Sequence, residues 1–483
     1  MVITEADAPT LKSFRDPAGA VFRHHGRILR AVQPEFVSQL ESFLATGAAR
    51  NMIAAGRMVG TSRLSTAESS GLLLLNDALQ AANVFEHERI PFASYPYEWP
   101  AEMLHAAGEL TLDLACAALD EGFGIKDATP YNVLFRGANP VFVDVLSFER
   151  RDPCDAAWMA YAQFVRTFLL PLAAHKYFGM APGEVLAAHR DGLDPETVYR
   201  WTSWSRRLTP PLLGLVSLPQ WLGGIRHGDG GLYHPQPSAS AEQARFILQG
   251  LLRSCRRQLN ALAPTTGKES AWTDYLTHKS LYSPDQLAQK EAFVRAALEQ
   301  GRSRRVLDVG ANEGHFSFLA ARAGASVVAI DSDPAVVGKL WLGASLHRLD
   351  VLPLVVDLAR PTPAMGWRNR ECESFLDRAR SQDGGPFDMV LMLAVLHHLL
   401  VSERIPLEDV LALASELTHD YAVIEFVAPE DPMFQRIARG RDQLHAGLTV
   451  ERFEQAARAR FDVARSQKID GLNRWLYLLQ KRT

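Results

Sequence analysis

The sequence predicts an α/β chain in two parts, with a mixed α+β first half and a mostly parallel sheet in the second. Three observations carry this. After Arg302, short apolar runs alternate with helix-length segments, the pattern of a parallel sheet crossed by helices. Before Ala263, helical periodicity and scattered prolines dominate. Between them, Ala263-Pro264-Thr265-Thr266-Gly267-Lys268 is small, polar and rich in chain breakers. The expected division is an accessory domain over 1–262, a linker and helical cap over 263–301, and a second domain over 302–483.

In the second domain, Arg305-Val306-Leu307-Asp308-Val309 reads as a buried strand, Gly310 to Gly314 as a turn and Phe316 to Ala323 as a helix. Ser326 to Asp331 is the next strand, and a helix follows Pro334. Leu354 to Asp357, Asp388 to Leu393 and Tyr421 to Phe426 are the third, fourth and fifth strands. Phe461 to Ile469 and Leu472 to Leu479 flank Asp470-Gly471, a two-residue turn that favours an antiparallel hairpin. Trp272 to Gln300 is expected to be helical and to lie over the open edge of the site.

In the first domain, Phe22 to Val32 with His25-Gly26 at its centre reads as a hairpin, and Ile90 to Trp99 as a connector. Leu104, Ala107, Thr111, Leu114 and Ala118 mark one face of a helix over 101–121. Pro140 to Asp144 reads as a strand ending in an acid. Residues 151–260 are mostly helical by pattern, with Trp158, Tyr161, Phe164 and Phe168 on a core stripe. Trp201, Trp204 and Trp221 either line a pocket or pack.

Composition narrows the function classes. The 483 residues are 47% hydrophobic and 22% charged, which is globular. The 51 basic and 55 acidic side chains nearly cancel, so no electrostatic case exists for nucleic acid or an acidic membrane. No apolar run of about 18 residues occurs, and Phe164 to Ala174 is broken by Arg166. The first residues lack a signal pattern, so a soluble, cytoplasmic protein is expected. Cys116, Cys154, Cys255 and Cys372 are widely spaced and form no CxxC pair, which points to reduced thiols.

The strongest constellation is Leu307-Asp308-Val309-Gly310-Ala311-Asn312-Glu313-Gly314. A glycine-bearing turn between a buried strand and a helix brings backbone N–H groups close to an anionic ligand. The second strand ends in Asp331, about 20 residues on, where a carboxylate can accept from ribose hydroxyls. Asn312 stands where a dinucleotide fingerprint carries glycine, which argues against a pyrophosphate and for a smaller anion. Its amide either bonds the ligand or braces the turn.

On LDVGANEG, AIDSD, VVDLARP and FDMVLMLAVLHHL, in that order, residues 302–483 resemble class I S-adenosylmethionine-dependent methyltransferases. The resemblance implies a Rossmann-like sheet, parallel with one antiparallel strand, and S-adenosylmethionine as cofactor. It places Gly310, Asn312 and Gly314 by the methionine moiety, with Asp308 beside them as a cofactor-binding residue, and Asp331 on the ribose. Asp357 and Leu358 fall at the adenine, and Leu393 and Ala394 beside the sulfonium. The other reading of Asp357 is a helix N-cap.

The implied chemistry is an in-line displacement at the methyl carbon, in which alignment contributes roughly 7–11 kcal/mol. His397 and His398 follow the fourth strand, where open α/β sheets place their ligands, and are the candidate bases. Each is otherwise a helix cap or a partner of a backbone carbonyl. Glu425 is either a second substrate contact or a satisfied structural carboxylate, Arg441 and Asp442 carry no role, and no metal is expected.

ARPTPAMGWRNRE and AVLHHLLVSERIPLEDV are similar to a bacterial methyltransferase subgroup that includes a host-specificity nodulation protein of rhizobia and has a long N-terminal extension. The similarity extends to SYPYEWP and KDATPYNVLF. It implies transfer to oxygen or nitrogen of a small-molecule or glycan acceptor, of natural-product or saccharide type. Asp127, Asn132 and the strand-end Asp144 also resemble the catalytic loop and metal-binding acid of protein-kinase-like folds. From Ser13 to Ile125 there is no lysine to grip phosphates, and Arg57 or Arg63 is no equivalent. The expectation is a kinase-like domain without kinase activity. The alternatives are a phosphotransferase in a bifunctional chain and a protein-interaction module.

Overall fold

The computed structural model describes residues 10–11, 16–73, 83–223, 237–265, 282–381, 385–440, 445 and 447–482. The chain divides into two compact units, residues 1–135, 139–265 and 366–371 in one, and 136–138, 266–365 and 372–483 in the other.

The first unit begins with β1 (Thr10–Leu11), β2 (Gly19–His24), β3 (Arg27–Val32), β4 (Thr61–Arg63) and β5 (Asn83–His87). They form an antiparallel sheet in the order β1-β2-β3-β5-β4. His25 and Gly26, both at positive φ (47° and 74°), make the two-residue turn between β2 and β3, as the sequence predicts. Phe22, Leu29, Ala31 and Val84 are buried together on one face.

The helix Ala101–Asp120 follows, and Leu104, Ala107, Thr111, Leu114 and Ala118 of the predicted stripe are all buried. Each large apolar side chain so buried contributes about 1.5–3 kcal/mol. Next come β6 (Phe123–Ile125), β7 (Val133–Arg136), β8 (Asn139–Phe142) and β9 (Phe148–Arg150), paired β6 with β9 and β7 with β8. Phe164 and Phe168 are fully buried core, while Trp158 and Tyr161 are half-buried, Trp158 donating its indole N–H to the Ile125 carbonyl at 3.1 Å.

The second unit holds β10 (Arg305–Val309), β11 (Ser326–Asp331), β12 (Val351–Val355), β13 (Phe387–Met392), β14 (Thr418–Val427), β15 (Phe461–Lys468) and β16 (Arg474–Lys481). Their order is β12-β11-β10-β13-β14-β16-β15. The first five are mutually parallel and β16 runs antiparallel to both neighbours, which is the class I methyltransferase-like arrangement. Burial on both faces explains their apolar runs. The order reverses between β10 and β13, and the crevice at that switch point is where open α/β sheets bind ligands.

Several boundaries differ from expectation. The third strand is Val351–Val355, so Asp357 lies two residues beyond it. The ladder between β15 and β16 ends at the Lys468–Trp475 pair, so Asp470-Gly471 sits inside a longer loop than a two-residue turn. Gln286 and Gln289 hold that loop by bonds to Asp470 of 2.8 Å each. The expected helix from Trp272 is Pro284–Gly301, while its first part, residues 272–281, lies outside the described residues. Among the described residues no helix is long and apolar enough to cross a membrane.

Candidate active site

A cavity of about 370 Å³ opens at the carboxyl ends of β10 to β13. That is within the usual range for a small-molecule site. Asp308, Gly310, Asn312, Asp331, Asp357, Leu358, Leu393 and Ala394 all line it, as does His398. Gly314 stands just behind, as the N-cap of the helix His315–Arg322, at φ 91°. Tyr282, Lys290, His315 and Phe316 complete one wall. None of these four was singled out from the sequence, which offered only a helical segment over 272–300 across the open edge of the site and a helix from Phe316.

The turn after β10 is built by close approach. A Cβ on Gly310 would fall 2.3 Å from Val395 Cγ2, and one on Gly314 would fall 2.7 Å from Leu340 Cγ. Neighbouring side chains thus leave no room for a Cβ at either glycine. Asn312 adopts φ 49°, which asparagine tolerates. Its side-chain oxygen accepts the Glu313 N–H at 2.7 Å, so the amide braces the turn.

The Asp331 carboxylate accepts the Asn312 N–H at 2.9 Å and the Asp333 N–H at 3.0 Å. These bonds fix its orientation toward the cavity. Burial raises its pKa and the backbone donors oppose that rise. Asp308 is buried, accepts the Ser317 hydroxyl at 2.6 Å, and has its pKa pushed up to about 7, chiefly by burial. Asp357 is not a helix cap. It accepts the Ala359 N–H at 2.9 Å in a turn and pairs with Arg360 at 2.7 Å, while Arg360 also reaches Glu403 at 2.6 Å. Ala394 holds φ 55°, a costly conformation for a residue with a Cβ, at the end of β13.

The two histidines have different surroundings. His398 is half-buried on the cavity wall, and burial lowers its pKa, so its imidazole is neutral at pH 7. His397 is buried and does not line the cavity. Its pKa lies well below the ordinary value because of burial, with His398, Arg474 and Lys290 adding to the effect. Its Nδ1 has no hydrogen-bond partner among the described residues.

Behind the wall lies a buried charge network. Glu425 accepts the Tyr282 hydroxyl at 2.5 Å and pairs with Lys290 at 2.8 Å. Arg474 makes a two-pronged pair with Asp431, at 2.8 and 2.9 Å, and donates to the Tyr282 oxygen. Two cations face two carboxylates, so the charge closes. Burial would raise the Glu425 carboxyl, but Lys290 and Arg474 outweigh it and hold the group below its usual range. Glu425 is thus a satisfied structural carboxylate, one of the two readings its sequence position allowed.

In the first unit, Asp144 follows β8 and is paired with Arg30 of β3 at 2.7 Å. It also accepts the Ser147 hydroxyl at 2.5 Å. Asn132 donates its amide to the Asp127 carbonyl at 3.0 Å and to the Ser147 oxygen at 3.2 Å. Arg57 and Arg63, named from the sequence, are bound instead to Asp113 and to Glu41. Arg30 was missed because a single arginine in a strand has no pattern. Trp201, Trp204 and Trp221 are 41%, 77% and 44% exposed, so they are not core. Arg441 and Asp442 lie outside the described residues.

A methyltransferase-domain family model matches residues 282–446. Over 475 residues the chain is 30% identical to nodulation protein NoeA of Rhizobium meliloti (strain 1021), covering 97% of this chain and 95% of that protein. Among solved structures, it is similar to the N-methyltransferase NodS from Bradyrhizobium japonicum WM9 with S-adenosyl-L-homocysteine. That match has 12% identity, covers 44% of this chain and 95% of that one, and has a TM-score of 0.32. The bifunctional kinase-methyltransferase WbdD is 18% identical over 44% of this chain and 42% of its own, with a TM-score of 0.29.

Proposed function

We propose, for a chain that belongs to the family of nodulation protein NoeA and is an S-adenosylmethionine-dependent methyltransferase, that the methyl goes to oxygen or nitrogen of a small-molecule or glycan acceptor, with His398 as the base. The observation that carries this is His398 on the cavity wall with a neutral imidazole, on the chain segment that follows Leu393 and Ala394.

The residues fit the cofactor. Asp331 offers an oriented carboxylate to a ribose, Leu358 and Leu399 offer apolar surface to a purine, and the turn at Gly310–Gly314 presents backbone to a small anionic end. Bound S-adenosylmethionine supplies an electrophilic methyl group on a sulfonium. The chain's own part is to align the acceptor, exclude water and take a proton at a histidine nitrogen. A base of this kind contributes about a hundred- to ten-thousand-fold.

The test is substitution. His398→Gln should lower turnover about a hundredfold or more with affinity for S-adenosylhomocysteine unchanged. Asp331→Ala should weaken that affinity at least about tenfold by calorimetry. In the wild type the acid limb of activity should lie below 6.5, because activity is lost only as the lowered histidine protonates. Full turnover in His398→Gln removes the base from this reading.

We read the first unit as a kinase-like accessory domain over 1–262 that transfers no phosphoryl group. The support is Arg30, whose guanidinium is bound to the acid that would otherwise hold a metal. Cytoplasmic location belongs to the same reading.

A further inference from the structure

A second, larger cavity of about 770 Å³ lies in the methyltransferase unit and belongs to no role given so far. Its polar lining is one-sided. Arg404, Arg439, Arg452 and His445 face it, and no carboxylate stands among its described lining residues. Leu400, Ile405, Ile437 and Leu448 supply an apolar lining. It shares a wall with the first cavity. In the segment 398–405, His398, Leu399, Ser402 and Glu403 line the first cavity, while Leu400, Val401, Arg404 and Ile405 line the second.

Two of the arginines sit where an arginine is costly. Arg404 has φ 58° and Arg439 has φ 49°, the left-handed region in which glycine is favoured. Arg439 ends the helix Pro432–Ala438, and Gly440 follows immediately, also at positive φ. Arg302 and Arg348 end their helices in the same conformation, so what sets Arg404 and Arg439 apart is that both carry guanidinium groups to one cavity. Arg452 differs, being paired with Glu408. Guanidinium forks match the oxygens of phosphate, sulfate and carboxylate, and Arg404 and Arg439 meet no carboxylate among the described lining residues of this cavity.

We propose that this cavity is a second ligand site, which takes a small molecule carrying a phosphate, sulfate or carboxylate on an apolar body. If the reading above holds, that molecule is the acceptor, whose anionic end is held on the far side of the 398–405 segment from the cofactor.

The test is calorimetry on the full chain with hexyl phosphate, hexyl sulfate, hexanoate and hexanol. These four probes share one apolar body and differ in the head. At least one anionic probe should bind about tenfold or more tightly than hexanol. The rank among the three identifies the head group. The double variant Arg404→Gly, Arg439→Gly suits the backbone at both sites, so its melting temperature should stay near wild type. It should lose about tenfold or more of the anionic affinity while S-adenosylhomocysteine binds as before. Equal binding of hexanol and the anions, or anionic affinity unchanged in the variant, overturns the proposal. Loss of S-adenosylhomocysteine binding by the wild type would instead sink the cofactor reading, so the two failures are distinguishable.

Discussion

Asp308 shows how a single buried group ties the site to pH. Its carboxyl is raised from 3.8 to about 7 by burial, so between those values the folded chain keeps a proton that the unfolded chain has lost. Stability from this group is therefore complete below about pH 4 and falls as pH rises to about 7, by up to roughly 4 kcal/mol. Asp308→Asn keeps the shape and the Ser317 partner without the charge. Relative to wild type it should gain stability between pH 5 and pH 8 in urea unfolding. An identical pH dependence in the two proteins would show that Asp308 does not titrate in this window. The same scale separates the two histidines. Adjacent in sequence, they were equivalent candidates, and only the packed structure buries His397 while leaving His398 on the cavity wall.

The network behind the wall is a property of elements. Lys290 comes from the helix Pro284–Gly301, Glu425 from β14, Arg474 from β16, and Asp431 from the turn before the helix Pro432–Ala438. The antiparallel strand thus also supplies charge, because its first residue, Arg474, pairs with Asp431 and lies 3.5 Å from Glu425. Removing one partner of a buried ion pair costs about 3–5 kcal/mol, because the other charge stays buried. Arg474→Leu should therefore lower the urea midpoint of the methyltransferase unit and leave Asp431 without its cation, while Glu425 keeps Lys290. A midpoint within error of wild type would show that water or relaxation supplies the lost charge. The strands themselves were legible from their apolar runs. The meeting of four charges at their ends was not, since 184 residues separate Lys290 from Arg474.

At the scale of the molecule, the question is why a methyltransferase carries a first unit of comparable size. Asp127 to Asn132 falls on a loop, and the expected strand Pro140 to Asp144 is Asn139–Phe142, so Asp144 lies two residues beyond its end. Arg30 then sits on Asp144, and burial would raise that acid were it not outweighed by Arg30 and the Ser147 hydroxyl, which hold its pKa below the usual value. A divalent cation would have to displace a buried guanidinium. Titration of the full chain with magnesium and ATP should give no binding heat. Arg30→Ala should open Asp144 to solvent and admit manganese. Strong magnesium-dependent ATP binding by the wild type would return the phosphotransferase alternative.

The sequence by itself determined the parallel sheet, the turn at Gly310–Gly314 and the acid at Asp331, and with them the motifs whose resemblance implied the cofactor. Those features are local, and period, glycine placement and strand-end acids are written in consecutive residues. Tertiary structure alone decided which histidine faces the cavity and that Glu425 is satisfied. It also brought Arg30 to Asp144 and assembled the arginines of the second cavity. Each of these depends on residues far apart in the chain, and the burial and charge that set their behaviour exist only after the elements have packed.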